Sequence, residues 1–373
     1  MLLLGGVALN NDLVLGIDVG TSSVKALYIS LTGGFFYKDE EKIVTHRAGV
    51  NAEQVAEDYL SAIQKITKRN IDLNNKVVSV GLSGQTPSLV CIDAFGKSTF
   101  PVLIWQDNRA IAEAAELAKV FGDPVKLIGT SLPWSASGCP AKLFWIHQHQ
   151  PEVQSNTTWI LQPKDFVGFH LTGEVVSDPW SSKGLCNVLN WQVPKTLFAH
   201  IGWSQSVVPT IKAGEDTRGV ISKSGSAWSG LPAGIPVTVG WSDAMSGMNS
   251  LGVMSKPTSF IITGEAKDQV CLGGHAGNDN RWEETRTRTL GSNILRYEDE
   301  DTTTRGAAML ALNLVVGNFR EAYEALRVSP SVVNRSSEDL DYASINYQRF
   351  LLAQQNLIAY TDRKDQGVTN NVD

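Results

Sequence analysis

Leu13-Val-Leu-Gly-Ile-Asp-Val-Gly-Thr-Ser-Ser-Val-Lys-Ala-Leu-Tyr-Ile29 sets two apolar runs on either side of Gly20, Thr21, Ser22 and Ser23. Runs of strand length around a turn of small residues predict a β-hairpin. The first run ends in a lone acid, Asp18, and the turn offers small residues whose backbone N–H groups approach a phosphate with no side chain in the way. A carboxylate beside a phosphate-sized nest points to a metal-nucleotide site. The competing reading is a tight hairpin with an incidental aspartate. Far along the chain, Val237-Thr-Val-Gly-Trp-Ser-Asp243-Ala-Met-Ser-Gly247 repeats the pattern of a strand that ends in a carboxylate followed by small residues. The two acids are expected to share one cleft.

Around these stretches the periodicity predicts a third strand over 35–44 and a helix over 51–69 with Val55, Tyr59, Ile63 and Ile66 at helical spacing. Residues 76–82 read as a buried strand running into Ser83-Gly-Gln-Thr-Pro87, with 88–93 as its hairpin partner. Strands that lead into polar loops build sites at sheet edges. Leu103-Ile-Trp-Gln-Asp-Asn-Arg109 gathers an aromatic, an amide, an acid and a base just before a helix over 110–121. A sugar needs paired donors and acceptors for its hydroxyls and an aromatic plane for its C–H face, which makes Trp105, Gln106 and Asp107 candidate contacts. A helix cap at Asp107 or Asn108 is the other reading. Further helices are predicted over 141–149 and 163–172. Lys164 and Asp165 either reach a substrate or simply begin the second of these. Residues 178–189 are rich in Ser and Gly and are expected to form a loop over the cleft; 220–240 read as strand pieces and a Gly230-Leu-Pro-Ala-Gly234 turn.

At 373 residues the chain exceeds one ordinary core, so two domains are expected, about 12–250 and 257–373. Hydrophobic residues make up 42% and charged residues 19%, the proportions of a soluble globular protein. With 32 basic and 38 acidic residues the net charge is −6, which argues against a nucleic-acid partner. Cys91, Cys139, Cys186 and Cys271 are widely spaced, without a Cys-x-x-Cys pair, so neither a zinc site nor a disulfide framework is indicated and a cytoplasmic location is expected. His147 and His149, two apart on a helix, do not face one ion. The apolar start, residues 1–9, lacks a basic n-region and is not read as a signal peptide; no run reaches the ~20 apolar residues of a membrane span.

Five short motifs then point to a family. Asp18-Val-Gly-Thr-Ser-Ser-Val-Lys25, Trp105-Gln-Asp-Asn-Arg109, Pro163-Lys-Asp-Phe166, Leu171-Thr-Gly-Glu174 and Gly240-Trp-Ser-Asp243 follow one another in an order that resembles the FGGY carbohydrate kinases. The resemblance implies an α/β fold of two ribonuclease H-like (actin-like ATPase) lobes and transfer of the γ-phosphoryl group of ATP to a hydroxyl of a small ketose or polyol. It implies Asp243 as general base, Asp18 holding Mg²⁺, and Gly20, Thr21 and Ser22 at the phosphates. Gly273, Gly274 and Asn278 would line the adenosine pocket, and Gln85, Trp105, Gln106 and Asp107 would hold the sugar. Any metal is expected to arrive with the nucleotide, and a homo-oligomer is compatible with this reading.

Two departures qualify it. Where xylulokinases carry Gln-Met-His-Gly, this chain has Gln85-Thr-Pro-Ser88, which removes a histidine that would bond the sugar. Thr258-Ser-Phe-Ile-Ile-Thr-Gly264 reads as the first strand of the second lobe, but Glu265 to Gly274 follow at once, whereas the family pattern inserts on the order of a hundred residues there. The second lobe is therefore expected to be truncated. Two rival classes are a catalytically impaired sugar or nucleotide binder, which the shortening favours, and an actin-like assembly protein, which does not call for the Trp-Gln-Asp-Asn-Arg or Pro-Lys-Asp-Phe segments.

Overall fold

The computed structural model describes residues 3–4, 7–8, 11–252, 269–273, 287–289, 291–298 and 301–365. The opening stretch is the expected hairpin. Strand β1 (Leu13–Val19) pairs antiparallel with β2 (Ser23–Ser30), and β2 with β3 (Phe36–Lys42). Helix α1 (Ala56–Arg69) crosses over to β4 (Val77–Gly84), which lies parallel to β1 with Ser83 opposite Asp18. There follow β5 (Val90–Ile92), α2 (Cys139–His149), β6 (Trp159–Leu161), α3 (Pro163–Thr172), β7 (Thr217–Val220), α4 (Lys223–Ser229), β8 (Pro236–Thr238), β9 (Trp241–Ser242) and α5 (Asp243–Ser250). The main sheet has the order β7-β8-β4-β1-β2-β3, and β9 pairs with the end of β4.

Strand alternation divides β1 between two cores. Leu13, Leu15, Ile17 and Val19 pack with Tyr59, Ile63 and Ile66 of α1 and Phe166 and Val167 of α3. Val14 packs on the other face, with Ala308, Met309 and Leu312 of α6 (Thr302–Val316) and Ala322, Tyr323 and Leu326 of α7 (Phe319–Leu326). Each such side chain contributes roughly 1.5–3 kcal/mol through burial. On this second face a Cβ on Gly81 would lie 1.8 Å from Ala307 O, and one on Gly16 would lie 2.4 Å from Thr304 O. Helix α6 therefore rests directly on the sheet backbone, with its first turn over the end of β1.

Contact clustering groups Met1–Lys256 with Asp301–Arg327, and separately Pro257–Glu300 with Val328–Asp373. Relative to the expected division into 12–250 and 257–373, this grouping places α6 and α7 with the first unit, because α6 covers β1 and β4. In the second unit β10 (Gln269–Leu272) lies parallel to β11 (Asn293–Arg296), β11 pairs antiparallel with β12 (Ser331–Val333), and α8 (Ser337–Asp365) follows. The strand expected over 258–264, the end of the junction at Gly264, and Gly274 and Asn278 lie outside the described residues. Residues 287–289 are helical.

Several local expectations are also corrected. Residues 88–93 are not a hairpin partner of β4, because β5 leaves the main sheet and pairs with β6, with Ile92 opposite Trp159. Asn51–Gln54 is a short strand, and α1 begins only at Ala56. Within 220–240 a helix stands where strand pieces were expected: the Ser222 hydroxyl accepts the Gly225 N–H at its start, and Gly230 closes it in the left-handed region. Residues 178–189 form the expected loop, and it is tightly packed, with Asp178, Ser181, Ser182, Leu185 and Cys186 all buried.

Candidate active site

Asp18 follows Val14 and Gly16 on the face of β1 covered by α6. Its Oδ2 accepts a hydrogen bond from the Thr303 hydroxyl at 2.9 Å, in the first turn of α6, where the helix dipole favours negative charge. Its Oδ1 is buried and has no hydrogen-bond partner among the described residues. Burial pushes the Asp18 carboxyl above its usual pKa, and the Thr303 hydroxyl, the nearby Ser83 hydroxyl and the Lys25 charge only partly offset this. Lys25, across the hairpin, pairs with Asp301 at 2.5 Å, and Lys38 reaches the same acid at 3.1 Å. A cleft of about 290 Å³ opens beside these groups.

The turn after β1 is fixed by a chain of side-chain bonds. The Thr21 hydroxyl donates to Gln85 Oε1 (3.1 Å) and accepts from the Trp105 indole (2.9 Å). The Gln85 amide donates to Gln54 Oε1 (2.9 Å), which also accepts from the Tyr59 hydroxyl (2.6 Å). Gln54 in turn donates to Thr21 O (2.6 Å). Gly20 N–H bonds Ser23 O at 3.0 Å, while the N–H groups of Thr21 and Ser22 have no backbone partner among the described residues. Ser22 is exposed.

Asp107 is fully buried, and its two oxygens together accept the Ala52 N–H (2.8 Å), the Arg109 N–H (3.2 Å), and Arg109 Nε (2.9 Å) and Nη2 (2.8 Å). A carboxylate offers about four acceptor positions, so it is saturated. Arg109 also pairs with Glu53 at 2.5 Å and lies over the Trp145 ring at 4.9 Å. Of the four expected sugar contacts, Gln85 and Asp107 are thus committed within the protein, Gln106 is half-buried and receives Arg47, and Trp105 is 44% exposed. Behind them the buried Lys142 ammonium donates to Pro87 O (3.1 Å), Leu103 O (3.0 Å) and Ile104 O (2.8 Å), clamping the loop after β4 to the strand before Trp105; burial lowers its pKa to about 8. Lys164 and Asp165 form a buried pair at 2.6 Å, and Lys164 also holds Asp178 at 3.0 Å, so both serve the packing around the helix start.

Asp243 is the first residue of α5, and the Ser242 side chain caps that helix. Ser242 lies opposite Gly84 on β4, and Gly84 on its other edge faces Val19 of β1, so the topology brings the ends of β1 and β9 to either side of one strand. Burial first, and then the Asp18 charge, pushes the Asp243 carboxyl up to about 6, against the Ala244 N–H and the Lys183 charge. The two acids therefore act on each other across a separation of more than two hundred residues. Sequence reasoning did not identify Thr303, Asp301 or Lys183; the small-residue run Thr302-Thr-Thr-Arg-Gly-Ala-Ala308 was the available signal for the first two.

No group of three or more His, Cys, Asp or Glu among the described residues is placed to hold a metal ion. The open, buried Oδ1 of Asp18 fits a single carboxylate contact to Mg²⁺, whose other ligands would come from phosphate and water. Gly273, at the end of β10, is the one expected adenosine residue among those described.

A mixed sheet in this order, with an acid closing its first strand beside a small-residue turn, defines the ribonuclease H-like fold of the actin-like ATPases. The chain belongs to the FGGY family of carbohydrate kinases, whose N-terminal domain model matches residues 13–249. Among curated relatives, xylulose kinase of Bacillus subtilis (strain 168) is 25% identical over 259 residues, covering 67% of this chain and 52% of the relative. Xylulose kinase of Escherichia coli (strain K12) is 25% identical over 256 residues, with 67% and 52% covered. The crystal structure of xylulose kinase from Rhodospirillum rubrum superposes with a TM-score of 0.80 at 15% identity, covering 94% of this chain and 100% of that one. The chain spans about half the length of the curated relatives it matches. No helix among the described residues is long and apolar enough to cross a membrane.

Proposed function

We propose that the protein transfers the γ-phosphoryl group of ATP to a hydroxyl of a ketose or polyol, with Asp243 as general base. The observation that carries this is the pairing of Asp243, raised to about 6, with Asp18, whose inner oxygen is open. A carboxylate with that pKa is ionised at neutral pH and is a better proton acceptor than an ordinary aspartate. In the step the acceptor oxygen forms a bond to the γ-phosphorus, the bridge to the β-phosphate breaks, ADP leaves, and the hydroxyl proton passes to Asp243. Phosphoryl transfer asks mainly for positioning and charge stabilisation. Asp18 would hold Mg²⁺, which neutralises charge developing on the phosphates. The Thr21 and Ser22 N–H groups and Gly20 would face the phosphates, and Gly273, Gly274 and Asn278 the adenosine. Trp105 and Gln106 meet the acceptor, while Gln85 and Asp107 hold that wall from behind.

A second reading, a sugar or nucleotide binder derived from such a kinase, is favoured by the direct succession of Glu265 to Gly274 after Gly264, where the family pattern has a longer segment. ADP release from Mg-ATP, measured across pentuloses, hexuloses and polyols for the wild type and Asp243→Asn, separates the two. Acceptor-dependent release that falls at least ~10²-fold in the variant supports the kinase. Acceptor binding without release supports the binder.

A further inference from the structure

Lys142, in the first half of α2, is fully buried. Its three ammonium hydrogens meet three carbonyls, Pro87 O, Leu103 O and Ile104 O, so every donor is used. Asp107, whose charge acts on it, is spent on Ala52 and Arg109, so no carboxylate pairs with the lysine directly. Burying a cation in this way is costly. A methionine of similar length would fill the space without that cost, so packing alone does not account for the ammonium.

What the ammonium joins is the roots of two arms that meet on the turn after β1. Gln85, two residues before Pro87, accepts from the Thr21 hydroxyl at 3.1 Å. Trp105, directly after Ile104, donates to the same hydroxyl at 2.9 Å. The two segments exchange backbone bonds at Leu89 and Leu103 (3.0 and 3.1 Å). Past that bridge, among the described residues, no hydrogen bond runs directly between 85–88 and 104–107; they are linked only through Lys142 at one end and Thr21 at the other. Charge matters to this link, because a neutral amine has two hydrogens for three carbonyls. Burial lowers the Lys142 pKa from 10.5 to about 8, with Cys139 and Asp107 acting to raise it and Arg109 to lower it.

We propose that Lys142 is a positioning residue for the phosphate turn: by holding the roots of the Gln85 and Trp105 arms together, its ammonium sets where their side chains grip Thr21. This rests on the kinase reading above, which puts Thr21 at the phosphates, and adds a residue that acts only through those two arms. Loss of the proton does not mimic unfolding. With the folded value below the unfolded 10.5, the unfolded chain binds more protons between about 8 and 10.5, so this group's contribution to stability rises with pH there.

Two measurements on the full chain test it. The first follows the Trp105 indole N–H by nuclear magnetic resonance, its peak identified by its loss in Trp105→Phe. In wild type the peak is expected to move with a midpoint at about pH 8 while the protein stays folded. In Lys142→Met it is expected to lie away from the wild-type low-pH position at every pH. The second is calorimetric titration with Mg-ADP of wild type, Lys142→Met, Trp105→Phe and the double variant. Each single variant is expected to weaken binding about 2- to 10-fold, the effect of one neutral hydrogen bond, and the double variant by less than the product of the two, because both act on Thr21. A Trp105 peak that ignores both pH and Lys142→Met would overturn the proposal. So would fully multiplicative effects, or a Lys142→Met protein that melts earlier yet binds Mg-ADP as wild type does, since the lysine would then serve the fold alone. Should Lys142→Met fail to fold, the pH dependence of the wild-type peak decides. Absence of Mg-ADP binding in every protein would contradict the kinase reading, while an indole titration at about pH 8 would still uphold the clamp on Thr21.

Discussion

Asp18 and Asp107 are both nearly inaccessible acids inside motifs that point to a site, and the structure uses them in opposite ways. Asp107 spends every acceptor position on Ala52 and Arg109. Asp18 keeps an oxygen buried and open. What distinguishes a ligand-binding acid from a structural one is unspent hydrogen-bonding capacity, which motif membership does not report.

The largest expected effect follows from that contrast. Asp107→Ala leaves the Arg109 guanidinium buried beside a missing partner, and thermal or urea unfolding should show a loss of ~3–5 kcal/mol. Asp18→Asn, which removes a desolvated charge, should cost nothing measurable by the same assay. Equal losses would break the comparison.

Next in size is Gly81→Ala. Its new Cβ would stand 1.8 Å from Ala307 O, so α6 must shift, with a cost of about 1–3 kcal/mol or more and a displacement of Thr303 from Asp18. An unchanged unfolding midpoint would show that α6 does not rest on the sheet as described.

Titration of Asp243 gives a third prediction. Its folded pKa is raised from 3.8 to about 6, so the stability it contributes is fully present below about 3.8 and is lost as pH rises through about 6. Activity runs the other way. Acceptor-dependent ADP release should climb tenfold per pH unit below about 6 and level off above it. A rate flat down to pH 5 would remove Asp243 as the base.

The smallest effect is expected at Trp105→Phe, which deletes the indole bond to Thr21 and loosens the phosphate turn. One neutral hydrogen bond corresponds to ~0.5–1.5 kcal/mol, so KM for Mg-ATP should rise about 2- to 10-fold with folding intact.

What the chain revealed in advance was whatever depends on neighbours in sequence. The hairpin around Gly20, the strand at 76–82, the helix at 163–172 and the acid at each strand end follow from periodicity and turn chemistry. The commitments of Gln85, Asp107 and Lys164 do not, because their partners Thr21, Ala52 and Asp178 are set by tertiary packing. The same holds for α6, whose place on Gly16 and Gly81 is set by tertiary packing. The loop over 178–189 was legible from its Ser- and Gly-rich composition, but its tight packing was not, because the Lys164–Asp178 pair that fixes it is tertiary.

The claim that Asp18 is the open acid of a metal-nucleotide site is tested most directly by calorimetric titration of ADP, with and without Mg²⁺, into wild type, Asp18→Asn and Asp107→Asn. The account predicts Mg²⁺-dependent binding that Asp18→Asn weakens at least ~10-fold without lowering the melting temperature, while Asp107→Asn lowers the melting temperature and leaves the affinity of the folded fraction within a few-fold. Binding in wild type that ignores Mg²⁺, or equal affinity in wild type and Asp18→Asn, would contradict it.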